Sequence, residues 1–202
     1  MSADGAELWA ADDPRLARSA DLVVARQTIA SVDADDPVVQ ANRTRMLAFV
    51  DGHPDALHRS CEVGHLTGSA LVVDPSTRCA LLLFHAKVRR WLQPGGHADG
   101  DANLAAVALR EATEETGIDG LAVHPVPIDL DVHRFVSARR DEPDHDHHDV
   151  RFLVVSPPGA QPAINHESEG ARWVAFGDLA SIGVDDGVLR MARAGLARLG
   201  LG

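Results

Sequence analysis

The chain has 202 residues, of which 45% are hydrophobic and 24% are charged, and this composition is typical of a globular protein with one sizeable domain and an extension. Its formal net charge of -11 argues against binding to a nucleic acid polymer or to an anionic membrane, because both need a basic face. The same acidity repels an anionic substrate, so a site for one needs a metal ion and local arginines.

Cysteine usage and the absence of targeting patterns predict the compartment. Cys61 and Cys79 stand far apart in no metal-binding or redox spacing, which favours free thiols in a reducing environment. The sequence shows no apolar run typical of a signal peptide and no stretch long enough to span a bilayer. These features predict a cytoplasmic protein.

Residues 1–55 are predicted to form an N-terminal helical extension. Asp13-Pro14 and Asp36-Pro37 each combine a helix N-cap with a proline at the first helical position. The apolar periodicity that follows predicts helices that end near Ser31 and Gly52. Periodicity leaves three roles open for this extension: a cap on a sheet, a homodimer face, or a wall of the substrate pocket.

Residues 56–202 are predicted to form a single α/β domain. Apolar runs bounded by turn residues predict strands at 66–73, 80–85, 121–126, 128–136, 150–155 and 171–176. Asp185 or Asp186 caps a predicted C-terminal helix. Strands placed before, between and after helices indicate a mixed sheet with helices on both faces.

The stretch 96–118 carries the strongest chemical signal. Its second half is predicted to be a helix that ends at Gly117, and it places Glu111, Glu114 and Glu115 at helical spacings of three and four. Like charges at such spacings cost an isolated helix roughly 0.2 to 0.5 kcal/mol per pair. A hard cation such as Mg²⁺ or Mn²⁺ among the carboxylates would relieve this repulsion.

This loop and helix resemble the Nudix box, the signature of hydrolases that cleave diphosphates linked to another moiety. The resemblance lies in Gly96 and in the run 110–118, Arg-Glu-Ala-Thr-Glu-Glu-Thr-Gly-Ile, at the family's spacing. It implies a Nudix-type α/β/α sandwich with a mixed sheet and a divalent metal ion. It also implies metal ligands and an orienting arginine at Glu111, Glu114, Glu115, Gly96 (through its carbonyl) and Arg110. One position departs from the box: Ala102 stands where the family has a further glutamate, and Asp99 and Asp101 are candidates to compensate.

A second cluster of polar residues precedes the strand predicted at 150–155. Strand alternation would set His145, His147, Asp149 and Arg151 on one side. The histidines and Asp149 are candidate ligands for a second metal ion, Zn²⁺ or Mn²⁺, and the alternative is a polar loop that faces water. A guanidinium beside an apolar strand needs an anion, so Arg151 is expected to bind either a carboxylate or a substrate phosphate.

Further candidates lie around the box. His97 directly follows the box glycine, and Arg90 could steer phosphates towards it. Acids from a late loop serve as base or extra metal ligand in several Nudix enzymes, so the resemblance makes Glu167 and Glu169 candidates, with a solvated loop as the alternative. Glu114 is the other contender for general base.

The sequence therefore predicts metal-dependent hydrolysis of a phosphoanhydride bond in a small-molecule diphosphate, such as a nucleoside diphosphate linked to another moiety. Two alternatives stay open. The Gly-His loop and the Glu-x-Glu pair are similar to isopentenyl diphosphate isomerase, although Gly95 stands where that family has its catalytic cysteine. The third interpretation is a catalytically silent ligand-binding module, which the alanine at position 102 permits.

Overall fold

The computed structural model describes residues 7–32, 35–86, 88–136, 143–163 and 168–201. The helices are α1 (Leu22–Ala30), α2 (Pro37–Gly52), α3 (Leu104–Thr116) and α4 (Asp186–Arg198). The strands are β1 (Trp9–Ala10), β2 (Gly64–Asp74), β3 (Cys79–His85), β4 (Arg90–Leu92), β5 (Gly95–His97), β6 (Ala122–Val123), β7 (Asp129–Phe135), β8 (His145–Val155) and β9 (Ser168–Ala175). Within these ranges, no helix combines the length and the apolar character needed to cross a bilayer.

Local capping signals set most helix ends. The side chains of Asp36 and Asp185 accept hydrogen bonds from backbone amides of the first turns of α2 and α4, so these helices begin where the sequence predicts. Gly117 ends α3 in the left-handed region, with φ of 62°, a conformation that glycine adopts without steric cost.

The first predicted helix is interrupted. A 3₁₀ turn at Pro14–Leu16 follows the Asp13 cap, and α1 begins only after a second cap at Asp21. Tertiary hydrogen bonds use the intervening carbonyls: Ala102 N donates to the Ser19 carbonyl, with 2.6 Å between N and O, and the Asn103 amide donates to the carbonyl of residue 17. Contacts with the loop before α3 therefore override the helical periodicity of this segment.

Strand β2 lies at the centre of a mixed sheet. It runs parallel to β8 over ten register pairs, from Gly64↔Asp146 to Val73↔Val155, and antiparallel to β3 and β5. Strands β6 and β7 pair with β8, β4 and β9 pair with β3, and β1 pairs with β6, all antiparallel. Strand β8 begins at His145 instead of at residue 150, because β2 and β7 pair with its polar half from both sides.

Helices cover both faces of the sheet. On one face, α1, α2 and α3 bury side chains such as Ile29, Met46 and Val107 against Phe152 of β8. On the other face, Met191 of α4 packs with Leu71 and Leu153. The predicted fold class, an α/β/α sandwich with a mixed sheet and an N-terminal helical extension, is confirmed. Of the three roles left open for the extension, the described contacts show the cap on the sheet, and the homodimer face and the wall of the substrate pocket stay predictions.

Candidate active site

The loop of β5 and the acidic side of α3 lie against each other. A Cβ added at Gly96 would overlap the carboxylate of Glu111, so only glycine lets that carboxylate approach the strand backbone so closely. One turn further along α3, Glu115 Oε2 accepts a hydrogen bond from Gly95 N at 3.2 Å. Two of the three predicted metal ligands on α3 therefore converge on the backbone of the predicted glycine loop.

Arg110 holds Glu111 in this position. Its Nη2 atom donates to Glu111 Oε1 at 2.9 Å and to the His97 carbonyl at 3.3 Å, which ties the helix to the loop. Burial raises the pKa of the Glu111 carboxyl, and the nearby charge of Glu114 adds to this shift, while Arg110 opposes it. A carboxylate whose negative charge is destabilised in this way gains from a bound cation, and an all-oxygen donor set suits a hard divalent ion.

The position of the missing box glutamate is part of the core. Ala102 is fully buried among apolar side chains and donates its amide to the Ser19 carbonyl of the extension. Of the two candidates for compensation, Asp101 places Oδ2 4.0 Å from Arg110 Nη1, whereas Asp99 pairs with Arg59 at 2.8 Å. Asp101 is thus the acid that lies beside the orienting arginine.

The opposite face of β2, β7 and β8 carries a buried ionic network. Arg151, which is 4% exposed, contacts three carboxylates at 2.8 to 3.1 Å. Arg190 of α4 contacts two of the same carboxylates at 2.8 Å. We call this set the arginine–aspartate network; its members are Asp129, Asp131, Asp149, Arg151 and Arg190.

Of the two anions that the sequence left open for Arg151, the structure therefore supplies the carboxylate. Burial opposes the guanidinium charge, but the three carboxylates raise the pKa of Arg151 above its ordinary value. Because the side chain is enclosed and already paired, we do not assign it to phosphate binding. Asp149 is occupied as well: its Oδ1 accepts from the hydroxyls of Thr67 and Ser69, and its Oδ2 accepts from Arg151.

Five histidines gather on the same face at the start of β2 and β8. We call them the histidine cluster: His65, His97, His133, His145 and His147. Strand pairing explains their proximity, since β2 places His65 beside His147 and β7 places His133 on the other side of His147. Three of them, His65, His145 and His147, hold ring nitrogens within 4.8 Å of one another. In this set, His65 takes the place that was predicted for Asp149.

At His133, burial opposes the charged ring, but the hydrogen bond with Asp131 and the nearby carboxylate charges together outweigh burial and raise the pKa. At three other members of the cluster, burial favours the neutral form. It lowers the pKa of His65 and of His97 to about 4, and it lowers the pKa of His147 to about 2, with the neighbouring histidines adding to each shift. Neutral imidazoles retain a ring nitrogen lone pair at neutral pH, which is the form that binds metal ions.

Four predicted site residues remain. Arg90 is exposed on β4, and Glu169 of β9 is half exposed and pairs with Arg89 at 3.1 Å. Glu114 is exposed on α3. Glu167 lies outside the described residues. The roles predicted for these four residues, like the metal-binding and orienting roles predicted at the loop and on α3, stay predictions.

Sequence reasoning missed several members of the polar face. In β2, the alternation of His65, Thr67 and Ser69 was a readable signal of a strand with one polar side. Asp129 and Asp131 carry the same signal in β7. Arg190 carried none, because its position opposite Asp129 depends on how α4 packs on the sheet.

Comparison with known proteins agrees with this architecture. A domain model described as "NUDIX domain" matches residues 65–193, which is more than half of the chain. A C. elegans Ap4A hydrolase structure, a binary complex, superposes with a TM-score of 0.54 at 18% identity over 67% of this chain and 97% of that one. E. coli dihydroneopterin triphosphate pyrophosphohydrolase superposes with a TM-score of 0.51 at 15% identity over 68% of this chain and 96% of that one. No curated protein matches the sequence. At these identities the two structures show a shared fold.

Proposed function

Because this chain belongs to the Nudix family of hydrolases, as its box predicted, we propose that it hydrolyses a phosphoanhydride bond of a small-molecule diphosphate with the help of Mg²⁺ or Mn²⁺. The substrate class we propose is a nucleoside diphosphate linked to another moiety, or a similar organic pyrophosphate. An acidic chain would accept such an anion where a metal ion offsets the local negative charge.

One observation supports the proposal most directly: the carboxylate of Glu111 lies against the backbone of Gly96, where any side chain would displace it. A solvated acidic helix has no need of this close approach. The hydrogen bond from Gly95 N to Glu115 holds a second carboxylate at the same loop. The proposed ligands are these two carboxylates with Glu114 and the Gly96 carbonyl.

A divalent ion bound there would neutralise the diphosphate and lower the pKa of the attacking water. The protein groups supply orientation and proton transfer, and Glu114 is a candidate for proton transfer as well as for metal binding. Arg110 orients Glu111 through the 2.9 Å hydrogen bond. Glu114, which is exposed on the same helix, is our first candidate for the general base that takes the proton from water. Glu169 and Glu167 are the alternatives for this task.

Two residues near the loop are proposed to contact the substrate. His97 follows Gly96 in β5, and its carbonyl is bonded to Arg110, so its position is fixed relative to the acids. Arg90 is exposed on β4 and could attract phosphate groups. The positive charge of Arg90 would raise the rate of substrate association more than the affinity for the substrate.

The crowding at Gly95 supports a hydrolase over the isomerase alternative. A Cβ at this position would overlap Ser69 Oγ, so the cysteine that the isomerase needs has no room without a backbone shift. A silent ligand-binding module would show thermal stabilisation by a diphosphate without turnover.

The test is a substrate screen followed by matched variants. Nucleoside diphosphate sugars, dinucleoside polyphosphates, ADP-ribose and nucleoside triphosphates are incubated with Mg²⁺ or Mn²⁺, and products are identified by mass. With an active substrate, Glu115→Gln and Glu111→Gln should lower kcat by about 100-fold or more, because metal-assisted steps depend on the ligands. Glu62→Gln changes an exposed acid outside the loop and helix and should retain kcat within about twofold.

The same variants separate the alternatives. Turnover of Glu115→Gln within a fewfold of the unmodified protein would contradict the metal-ligand assignment. Double-bond migration in isopentenyl diphosphate without phosphate release would establish the isomerase instead. Glu114→Gln and Glu169→Gln identify the base, since loss of the base lowers kcat while substrate KM changes little.

A further inference from the structure

We propose that His65, His145 and His147 form a second metal site, which binds a divalent transition-metal ion such as Zn²⁺ and is chemically distinct from the glutamates of α3. The three residues come from the first residues of the parallel strand pair β2 and β8. This site goes beyond the proposed hydrolysis, because its donors are nitrogens and hydrolysis of the diphosphate does not require it.

The first argument is His65. The side chain is 2% exposed, and among the described residues neither its Nδ1 nor its Nε2 atom has a partner at hydrogen-bond distance. The Cys61 backbone lies near the ring, but its carbonyl already accepts from Gly64 N. A buried polar group without a partner costs desolvation free energy, and native structures rarely keep one without a reason. Since the ring lies against His97, His145 and His147, a shared ligand explains what the protein contacts do not.

The second argument is the orientation of the His145 ring and its distance from the His147 ring. His145 Nδ1 lies 2.8 Å from the Pro143 carbonyl, which accepts only, so Nδ1 carries the proton and the lone pair of the neutral ring is on Nε2. That Nε2 atom is 3.1 Å from His147 Nε2. Metal-binding histidines are typically fixed in this way, by donating the other ring N–H to a carbonyl or carboxylate.

The distances fit a tetrahedral ion. With Zn–N bonds of about 2.0 to 2.1 Å, two ligand nitrogens lie about 3.3 Å apart. The His145–His147 separation of 3.1 Å matches this value without movement. Every pair in the set lies within 4.8 Å, so the most distant nitrogens need to approach by at most about 1.5 Å, which side-chain rotation can supply.

The donor set also selects the metal. Imidazole suits Zn²⁺, Co²⁺ and Ni²⁺, whereas Mg²⁺ prefers carboxylate and water oxygens. Asp149 does not join the set, because its oxygens accept from Thr67, Ser69 and Arg151. The ring of His97 lies beside the set, with its centroid 4.8 Å from His65 and 5.1 Å from His147. Phe135 covers the other side, 5.3 Å from His147, which limits the access of water.

The experiment uses the full chain, stripped with a chelator and titrated with Co²⁺. Four-coordinate Co²⁺ gives visible ligand-field bands, and we expect one equivalent to produce them in the unmodified protein. Zn²⁺ should displace the Co²⁺ and abolish the bands, because it binds such sites at least as tightly as Co²⁺ does. Mg²⁺ should leave the bands unchanged.

Variants locate the ion. His145→Ala and His147→Ala should each weaken Co²⁺ binding by about 100-fold or more, because each removes one ligand from the ion. His147 is only half buried, so His147→Ala tests the site even if His145→Ala fails to fold. His85→Ala, which removes a half-buried histidine at the end of β3, should bind Co²⁺ as the unmodified protein does.

The outcomes separate this site from the glutamate site. Glu111→Gln should keep the Co²⁺ bands while it loses Mg²⁺-dependent turnover. If Glu111→Gln abolished the bands and His147→Ala retained them, the ion would lie at the glutamates and the histidine site would be refuted. Absence of the bands in the folded unmodified protein would refute it as well. Failure of the hydrolase assay alone would leave the Co²⁺ result standing, so the two proposals fail separately.

Discussion

The arginine–aspartate network and the histidine cluster lie on the same face of the sheet. They differ in whether the protein itself supplies partners for their polar groups. In the network, the guanidinium of Arg151 contacts three carboxylates within the protein. In the cluster, five imidazoles face one another, and the buried nitrogens of His65 lack a partner within the described structure. A polar side chain whose needs are met inside the fold supports the structure, whereas a set of converging, unsatisfied donors indicates a ligand from outside.

The two regions are adjacent, because their nearest members lie two residues apart along β8. Along β8, His147 belongs to the cluster and Asp149 to the network, and along β2 their neighbours are His65 and Thr67. Asp149 separates the two regions because its oxygens point to Thr67, Ser69 and Arg151. The two regions meet at one further point, because His133 Nδ1 of the cluster lies 3.1 Å from Asp131 Oδ2 of the network. Since neither His133 nor Asp131 is a proposed metal ligand, changes at Arg151 and at the three ligand histidines should be measurable separately.

Removal of Arg151 should cause the largest effect. Arg151→Met leaves the buried Asp129 and Asp149 and the partly buried Asp131 with much of their positive countercharge lost, which typically costs about 3 to 5 kcal/mol. We expect urea unfolding to show this loss in the free energy of unfolding. Arg134→Met is the matched control on β7: its ion pair with Asp146 is half exposed, and we expect a loss of less than about 1 kcal/mol. Equal losses in the two variants would contradict the structural role of the network.

Asp149→Asn tests the boundary between the regions. The change removes a charge and one acceptor from a buried residue that binds two hydroxyls and a guanidinium, so we expect a loss of about 1 to 3 kcal/mol in unfolding free energy. The Co²⁺ bands should persist, because the proposed ligands are histidines. The opposite pattern, lost bands with full stability, would restore Asp149 to the metal site that the sequence predicted.

Local signals explain what could be predicted from the sequence. The N-caps at Asp36 and Asp185 and the glycine stop at position 117 act within one turn, so they placed α2, α4 and the end of α3. The spacing of acids in the box likewise identified the residues that meet the loop at Gly96. The family and the fold class followed from the same stretch, and both are confirmed.

Long-range pairing explains what could not be predicted. His65 lies beside His145 only because β2 and β8 pair in parallel with a particular register. Local sequence signals do not predict that register, because the two strands are far apart in the chain. The sequence predicted that Arg151 needs an anion. It did not predict the ion pairs with Asp129 and Asp131, because these depend on the pairing of β7 with β8. The break in the first predicted helix also depends on distant partners, since Ala102 bonds to Ser19.

A prediction for His148 tests the same comparison on the other face of the sheet, where a single histidine is buried. It neighbours His147, but its side chain points to the opposite face, where its ring stacks on Phe49 at 3.9 Å between centroids. Its buried Nδ1 also lacks a hydrogen-bond partner among the described residues. Burial lowers the pKa of His148 to about 4 from an ordinary value of 6.5. Between these values the unfolded chain binds a proton that the folded protein does not, so stability is full above pH 6.5 and falls as the pH falls.

His148→Phe keeps a stacking ring and removes the proton-binding site. Between about pH 7 and about pH 5, its unfolding free energy should fall by about 2 kcal/mol less than that of the unmodified protein, as measured by urea unfolding at each pH. Parallel pH profiles would contradict the buried neutral state of His148. Its Co²⁺ bands should remain, because one unpartnered nitrogen facing an apolar ring does not make a metal site. Several nitrogens must converge for that, and among the described histidines they converge on the other face, at His65, His145 and His147.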